Sequence, residues 1–509
     1  MKYWWISLVC LLGLTTVGPN AFAQKTWEEM LREQEERVKQ KQQAQDQRVE
    51  IRFANQMRRM WLKRSFTEGE FPEGQDPDVP FVYEPANDIR ETPEERQLDV
   101  VPLSPQSDVA PLAAKAAVPA PDVPEPVQDE FVTDALTDLG TETNASYFGE
   151  SLELKIDPEM EVDLEGLVNE KTLALAWEQL EDSRYELLLY QITREAARLQ
   201  VNDWGYAQMI NQIAHQIFPS QPNERVVFSW FMLSKSGYIS TVAYEGGHVY
   251  LMMPTRQILY GKTFLRNKDQ KFYAIDLDGG DIDLIQARVF AQKYPEADRI
   301  MDLRMPAAPR LASRTIRKSV SFSYAGQNYD IPYELDANLL EFYKTYPFVD
   351  LSVYMSAPVS EACRNSLVAS LKEAVADLQP TGNRSKEAES VNFLLRFVQT
   401  GLAYQTDHQQ FGGEKYLFAE ETLFFPYSDC EDRSVLFAYL VQEILGLEVI
   451  GLMYPGHAAT AVKFSGPVNG DHVMFRNKKY TICDPTYINA DYGMSLPETH
   501  GQMANVVAY

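Results

Sequence analysis

Near its C-terminal end the chain reads Ser428-Asp429-Cys430-Glu431-Asp432-Arg433-Ser434, then Pro455-Gly456-His457, then Ile482-Cys483-Asp484-Pro485. A thiol, an imidazole and a carboxylate in that order are the reagents of nucleophilic acyl transfer. The thiol attacks an amide only as thiolate, and a helix N-terminus beside an imidazolium lowers its pKa. The spacing places Cys430 at such a tip: Val435, Leu436, Tyr439, Leu440 and Ile444 recur at helical intervals, and Gly446 stops the run. His457 opens the strand-like Ala458-Ala459-Thr460-Ala461-Val462. Asp484 closes Lys479-Tyr480-Thr481-Ile482-Cys483, and Pro485 ends it. Two adjacent strand ends would hold imidazole and carboxylate against the helix tip, the aspartate fixing the histidine tautomer. The competing reading is a buried structural cysteine near an unrelated histidine.

This arrangement resembles the transglutaminase-like superfamily, the papain-related group with Cys, His and Asp in that chain order. The resemblance rests on Asp429-Cys430-Glu431-Asp432, on Gly456-His457 at a strand start, and on Asp484-Pro485 at a strand end. A lead-in helix from about Glu387 to Tyr404 also fits, so the likeness covers the chain from there onward. It implies a papain-like α+β fold for this module, with Cys430 as nucleophile, His457 as base and then acid, and Asp484 as orienter. Hydrolysis of peptide or protein amide bonds and transamidation of protein glutamine both use those three residues. A third reading, from another class, is a scaffold or binding protein that keeps the fold without turnover.

Acyl transfer also needs donors for the oxyanion. The backbone N–H of Cys430 is one, and the second is open among Tyr404, Gln409 and Tyr427. Asp429, Glu431 and Asp432 suit the positive end of a helix dipole, but their charge opposes thiolate formation. His472, in a Gly470-Asp471-His472 turn, competes with His457, yet it lies too close before Asp484 to leave room for two strands. No two of the six histidines have i,i+4 spacing and no cysteines have zinc spacing, which disfavours a zinc enzyme. The acidic turn Asp276-Leu277-Asp278-Gly279-Gly280-Asp281-Ile282-Asp283 has oxygens for Ca²⁺. Its glycines are misplaced for an EF-hand loop, and Ala287 stands where the twelfth-position Glu belongs. The expectation is no cofactor, with calcium at that turn as the alternative.

The first 23 residues read as a secretory signal: Lys2, an apolar run from Trp4 to Val17, and the small-x-small Ala21-Phe22-Ala23. That run is shorter than a bilayer span, and Val9 before Cys10 argues against lipidation. The expected location is exported, periplasmic or at the cell surface. Removal of Cys10 leaves Cys363, Cys430 and Cys483, an odd count that points to an unpaired thiol in an oxidising compartment. A Cys363–Cys483 bridge is compatible with the sequence, as are three free thiols. The formal charge of -26 is concentrated. Between Thr67 and Ala145, 19 acidic residues face only Arg90, Arg96 and Lys115. The basic stripe a nucleic-acid partner would need is missing.

Composition divides the remainder. Residues 24–66 read as a charged helix with an intermittent apolar stripe (Trp27, Leu31, Val38, Val49, Phe53, Met57, Met60), suited to self-association or docking on an envelope partner. Residues 67–145, with 12 prolines and few aromatics, read as a disordered tether. The rest is long enough for two or three cores. Residues 146–300 echo the C-terminal module: Gly237 to His248 matches Gly446 to His457, and Lys271-Phe272-Tyr273-Ala274-Ile275-Asp276 parallels Lys479 to Asp484. The ungapped match to the cysteine is Gln221, so this module is expected to be a degenerate copy without a nucleophile. A β unit is expected over 301–360, with strands at Lys318–Tyr324, Asp330–Tyr333 and Phe348–Tyr354 and a hairpin loop at Gly326-Gln327-Asn328. The thiol module is expected over 361–509, to act on a protein or peptide substrate.

Overall fold

The computed structural model describes residues 96–98, 100–102 and 140–509, save 165, 167, 268–269, 291–293 and 295. The leader expected over 1–23 and the charged helix expected over 24–66 lie outside the described residues. Within the stretch expected to be a tether, two short strands are described, β1 (Arg96–Leu98) and β2 (Val100–Pro102). A hairpin of β3 (Thr141–Tyr147) and β4 (Glu150–Ile156) also begins before residue 146. An unbroken tether over 67–145 is therefore not what the fold contains. In the hairpin, Ala145 and Tyr147 alternate inward with Leu152, Leu154 and Ile156, all buried. That burial and the ladder pairing offset the ordering entropy that composition alone makes prohibitive.

Four helices follow: Glu170–Asp182, Tyr185–Leu199, Asp203–Ile217 and Pro222–Lys235. The last packs on an antiparallel sheet of β5 (Thr241–Glu245), β6 (His248–Met253), β7 (Phe264–Asn267), β8 (Gln270–Ile275) and β9 (Arg288–Val289), ordered β7-β8-β6-β5-β9. A second hairpin joins β10 (Thr315–Tyr324) to β11 (Gln327–Asp336). Its turn is Ala325-Gly326, both at positive φ (49° and 77°), the backbone of a two-residue hairpin turn. The loop is thus shorter than expected: Gln327 and Asn328 already pair with Tyr324 and Ser323.

The β unit expected over 301–360 reduces to this hairpin. Phe348–Tyr354, expected as a strand, runs into a helix, Leu351–Ser356, and Val349 makes only an isolated bridge to Leu259. Asp350 starts that helix by accepting the N–H of Ser352 at 3.2 Å, as Asp336 starts Ala337–Tyr343 by accepting that of Asn338 at 2.9 Å. An aspartate N-cap ahead of apolar residues outweighs their β propensity here. Cys363 ends a short helical segment, Glu361–Cys363, which continues through a π turn into Ala369–Asp377.

The lead-in helix is Lys386–Gly401. After it β12 (Ala403–Tyr404) pairs in parallel with β13 (Tyr427–Ser428), which delivers the chain to the helix Cys430–Leu445. In that helix Val435, Leu436, Phe437, Ala438, Leu440 and Val441 are all fully buried, so it is covered on every side rather than along one stripe. Gly446 ends it at φ 69°. Then come β14 (Glu448–Tyr454), β15 (His457–Lys463), β16 (Asp471–Phe475), β17 (Lys478–Cys483) and β18 (Ala504–Val507). The sheet order is β1-β16-β17-β15-β14-β18-β2.

Apart from β1 and β2, the two large sheets share one strand order: third, fourth, second, first, fifth, with every pairing antiparallel. Each follows a helix packed on its second strand. The largest apolar cluster runs from Ala145 to Val507, and two smaller ones lie on the sheets, around Leu452 and Val473 and around Met252 and Phe272. The two halves of the largest are tied together. Trp204 Nε1 donates to Thr345 Oγ1 at 2.9 Å, Asn202 Nδ2 donates to Tyr346 Oη at 2.7 Å, and the Phe148 and Phe342 rings meet edge-on at 5.3 Å.

Candidate functional site

Cys430 is the first residue of its helix, and Asp429 and Asp432 cap that helix reciprocally. Tyr454 and His457 form the closing pair of the β14–β15 hairpin. Thr460 of β15 pairs with Cys483 of β17, so His457 and Asp484 emerge at the same end of neighbouring strands. They meet: His457 Nε2 lies 2.7 Å from Asp484 Oδ2. The other oxygen, Asp484 Oδ1, accepts the N–H groups of Thr486 and Tyr487 at 2.9 and 3.0 Å, and Gln399 Nε2 donates to the Asp484 carbonyl at 2.9 Å. The carboxylate is thus fixed from three sides. Asp484 pairs with His457 and not with His472, which sits on β16 opposite Thr481 with Nδ1 3.2 Å from the Gly470 carbonyl.

The Cys430 thiol reaches the same place through the next residue along, because the backbone N–H of Ala458 points at it. Its side-chain partner is Glu431: Sγ donates to Oε2 at 2.9 Å, and the thiol makes no hydrogen bond to His457. Burial raises the thiol pKa well above its ordinary value, and Glu431 and Asp429 push it further, while the Ala458 N–H opposes them. For His457, burial works against the imidazolium, but the charge and hydrogen bond of Asp484 outweigh it and the net shift is upward. Of the three cysteines among the described residues, all free and buried, Cys430 is 5% exposed whereas Cys363 and Cys483 are fully covered.

Around the thiol lies a group of acids the sequence did not show to be buried. Burial raises Asp407 to about 8, with Asp429 and Glu414 adding to the effect. Asp429, Glu431 and Asp432 are also raised, burial first. Arg433, only 1% exposed, is the cation within this group; it donates to Ser428 Oγ at 3.2 Å and to the Leu402 carbonyl at 2.7 Å. Among the described residues, Asp407, Asp429 and Asp432 are the carboxylates whose oxygens lie close enough together (within 4.8 Å) to share a cation. Their oxygens are of the kind a hard cation takes, while burial raises the pKa of all three and so favours their protonated forms. In the acidic turn at Asp276–Asp283, three of the four carboxylates are engaged within the chain. Asp276 accepts the N–H groups of Asp278 and Gly280, Asp278 meets His215 and Asn211, and Asp281 meets Lys262.

Of the three oxyanion donors left open, Tyr404 is the one beside the thiol. It pairs with Ser428 across β12–β13, the Arg433 guanidinium lies 5.3 Å from its ring, and after burial the Cys430 charge is what most raises its hydroxyl. Tyr427 is 41% exposed and Gln409 lies on the surface.

In the first sheet the residues matched by sequence do not converge. His248 starts β6 as His457 starts β15, but it is exposed and makes no hydrogen bond to Asp276, both of whose oxygens cap their own turn. The position facing the N–H after the histidine belongs to Asn223, not Gln221. Asn223 Oδ1 accepts from Val249 N, and its Nδ2 donates to the Gly247 carbonyl, both at 2.9 Å. The ungapped count missed this because Asn223 is the second residue of its helix, which starts one residue later than the count assumes, whereas Cys430 is the first residue of its own.

No family model matches this chain, nor does any curated protein or solved structure.

Proposed function

We propose that this chain is a thiol enzyme acting on amide bonds of peptides or proteins through a thioester. The observation that carries this reading is the His457–Asp484 pair at 2.7 Å, formed one residue from the N–H that faces Cys430 at a helix tip. Because Nε2 is taken by Asp484, Nδ1 is the ring atom that accepts the thiol proton. The thiol turns from Glu431 to His457, the thiolate adds to the carbonyl carbon, and the oxyanion meets the Cys430 N–H and Tyr404 Oη. The imidazolium then gives its proton to the departing amine, leaving an acyl-thioester. Water, its proton taken by His457, attacks that ester to release a carboxylic acid and regenerate the thiol. The scheme uses the chain's own side chains and no cofactor. Burial raises the pKa values of Asp407, Glu431 and Asp432, which favours their neutral forms and lessens the opposition to the thiolate that their number implies.

Transamidation differs only in the last step, with an amine in place of water. Incubating surface proteins with the purified chain and a primary amine separates the two by mass spectrometry. New termini support hydrolysis, amine adducts on glutamine support transamidation, and either activity surviving Cys430→Ala sinks the assignment.

We further infer that the first sheet and its helix are a non-catalytic module of the same type. Asn223 supports this, since it spends its amide where the other module keeps a thiol. The proposal extends to an exported protein whose residues 24–66 dock on an envelope component or self-associate.

A further inference from the structure

β1 and β2 are separated in sequence only by Asp99, yet they pair at opposite ends of the C-terminal sheet. β1 runs parallel to β16, with Arg96, Gln97 and Leu98 opposite Asp471, His472 and Val473. β2 runs parallel to β18, with Val100, Val101 and Pro102 opposite Ala504, Asn505 and Val506. One short segment therefore lies between both outermost strands, and the sheet closes on itself. A second observation agrees. The strands alternate between two apolar clusters: Val449, Val462, Cys483 and Val507 belong to the main core, whereas Ile450, Ala461, Ile482 and Val506 form a separate one on the other face. In an open sheet that second face would meet water, but Leu452, Val473 and Ala504 are fully covered and Val506 is 2% exposed. A curled, closed sheet accounts for this.

The closure bears on the site. β16 and β18 flank the loop that leaves Asp484 and returns at Ala504. Asp471, opposite Arg96, holds that loop: its N–H donates to the Gly493 carbonyl at 2.9 Å, and its carboxylate accepts from the backbone N–H (3.3 Å) and the hydroxyl of Ser495. Without residues 96–102, β16 and β18 would both be bare edges, with unpaired N–H and C=O groups. We propose that residues 96–102 are an in-cis closing strand of the thiol module, whose docking braces the Asp484 loop and so couples the N-terminal region to Cys430. It is strand addition of the kind used in peptide recognition, with the occupant supplied by the chain itself.

Hydrogen exchange of the full-length chain, read by mass spectrometry over 471–475 and 504–507, tests closure directly. The proposal expects both segments to be protected, and expects Val101→Pro, but not Val109→Pro, to abolish protection in both while the β10–β11 hairpin stays protected. Wild-type edges that exchange as fast as unpaired backbone overturn it, even if the proline variant does not fold. So does Val101→Pro with both segments still protected. Alkylation of Cys430 by iodoacetamide at neutral pH tests the coupling: Val101→Pro should change its rate severalfold, and an unchanged rate with protection lost overturns that half. Neither readout requires turnover, so failure here is distinct from failure of the proposed chemistry.

Discussion

His457 Nε2 and Asp484 Oδ2 lie 2.7 Å apart, while the other Asp484 oxygen is held by the N–H groups of Thr486 and Tyr487. A carboxylate so restrained orients the ring as well as stabilising its charge. Asp484→Ala should let the His457 pKa fall and cost turnover of any amide substrate about 10²- to 10⁴-fold, the range for loss of positioned proton transfer. A pH–rate profile of wild type and variant checks both the drop and the shift.

Glu431 accepts the resting thiol's hydrogen bond and also raises its pKa. Glu431→Gln removes the charge and keeps the shape. Cys430 alkylation should accelerate, about tenfold for each pKa unit recovered. A slower reaction would mean that Glu431 assists ionisation instead.

Asp407 is raised to about 8 by burial and by Asp429 and Glu414. A carboxyl whose folded pKa lies above its unfolded value of 3.8 contributes stability that is full below 3.8 and lost as pH rises through about 8. Thermal stability should therefore decline across that window, and Asp407→Asn should flatten the decline. Calorimetry from pH 4 to 9 on both proteins decides it.

Asn223 ties its helix to the β5–β6 turn by two bonds at a half-exposed position. Asn223→Ala should cost about 1 kcal/mol of stability, measured by denaturant unfolding, and leave Cys430 alkylation unchanged.

Much of this site was legible because its signals are local. Cys430 before a helical run, His457 after Pro-Gly and Asp484 before Pro each mark an element boundary, and all three boundaries are where the spacing put them. What escaped was non-local. Nothing in Arg96–Pro102 marks a strand, because its pairing is with residues near the other end of the chain. The burial of Asp407, Asp429, Glu431 and Asp432 ran against the usual rule that clustered acids face water. The clue was available: charges crowd the first turn of a helix whose remainder is apolar all round. The 348–354 segment misled because its aromatic and β-branched residues outvoted a single capping aspartate.

The central claim is that Cys430 is a thiol activated by His457. Its most direct measurement is the rate of Cys430 alkylation by iodoacetamide across pH 5 to 10, in wild type and in His457→Ala. At rest the thiol is bonded to Glu431 and its pKa is raised; if it turns to His457 as proposed, the pair gives a reaction that persists to lower pH than free cysteine allows and is at least about tenfold slower at neutral pH once the imidazole is gone. If Cys430 alkylates no faster than free cysteine, and His457→Ala makes no difference, the thiol is structural and the account of its chemistry is wrong.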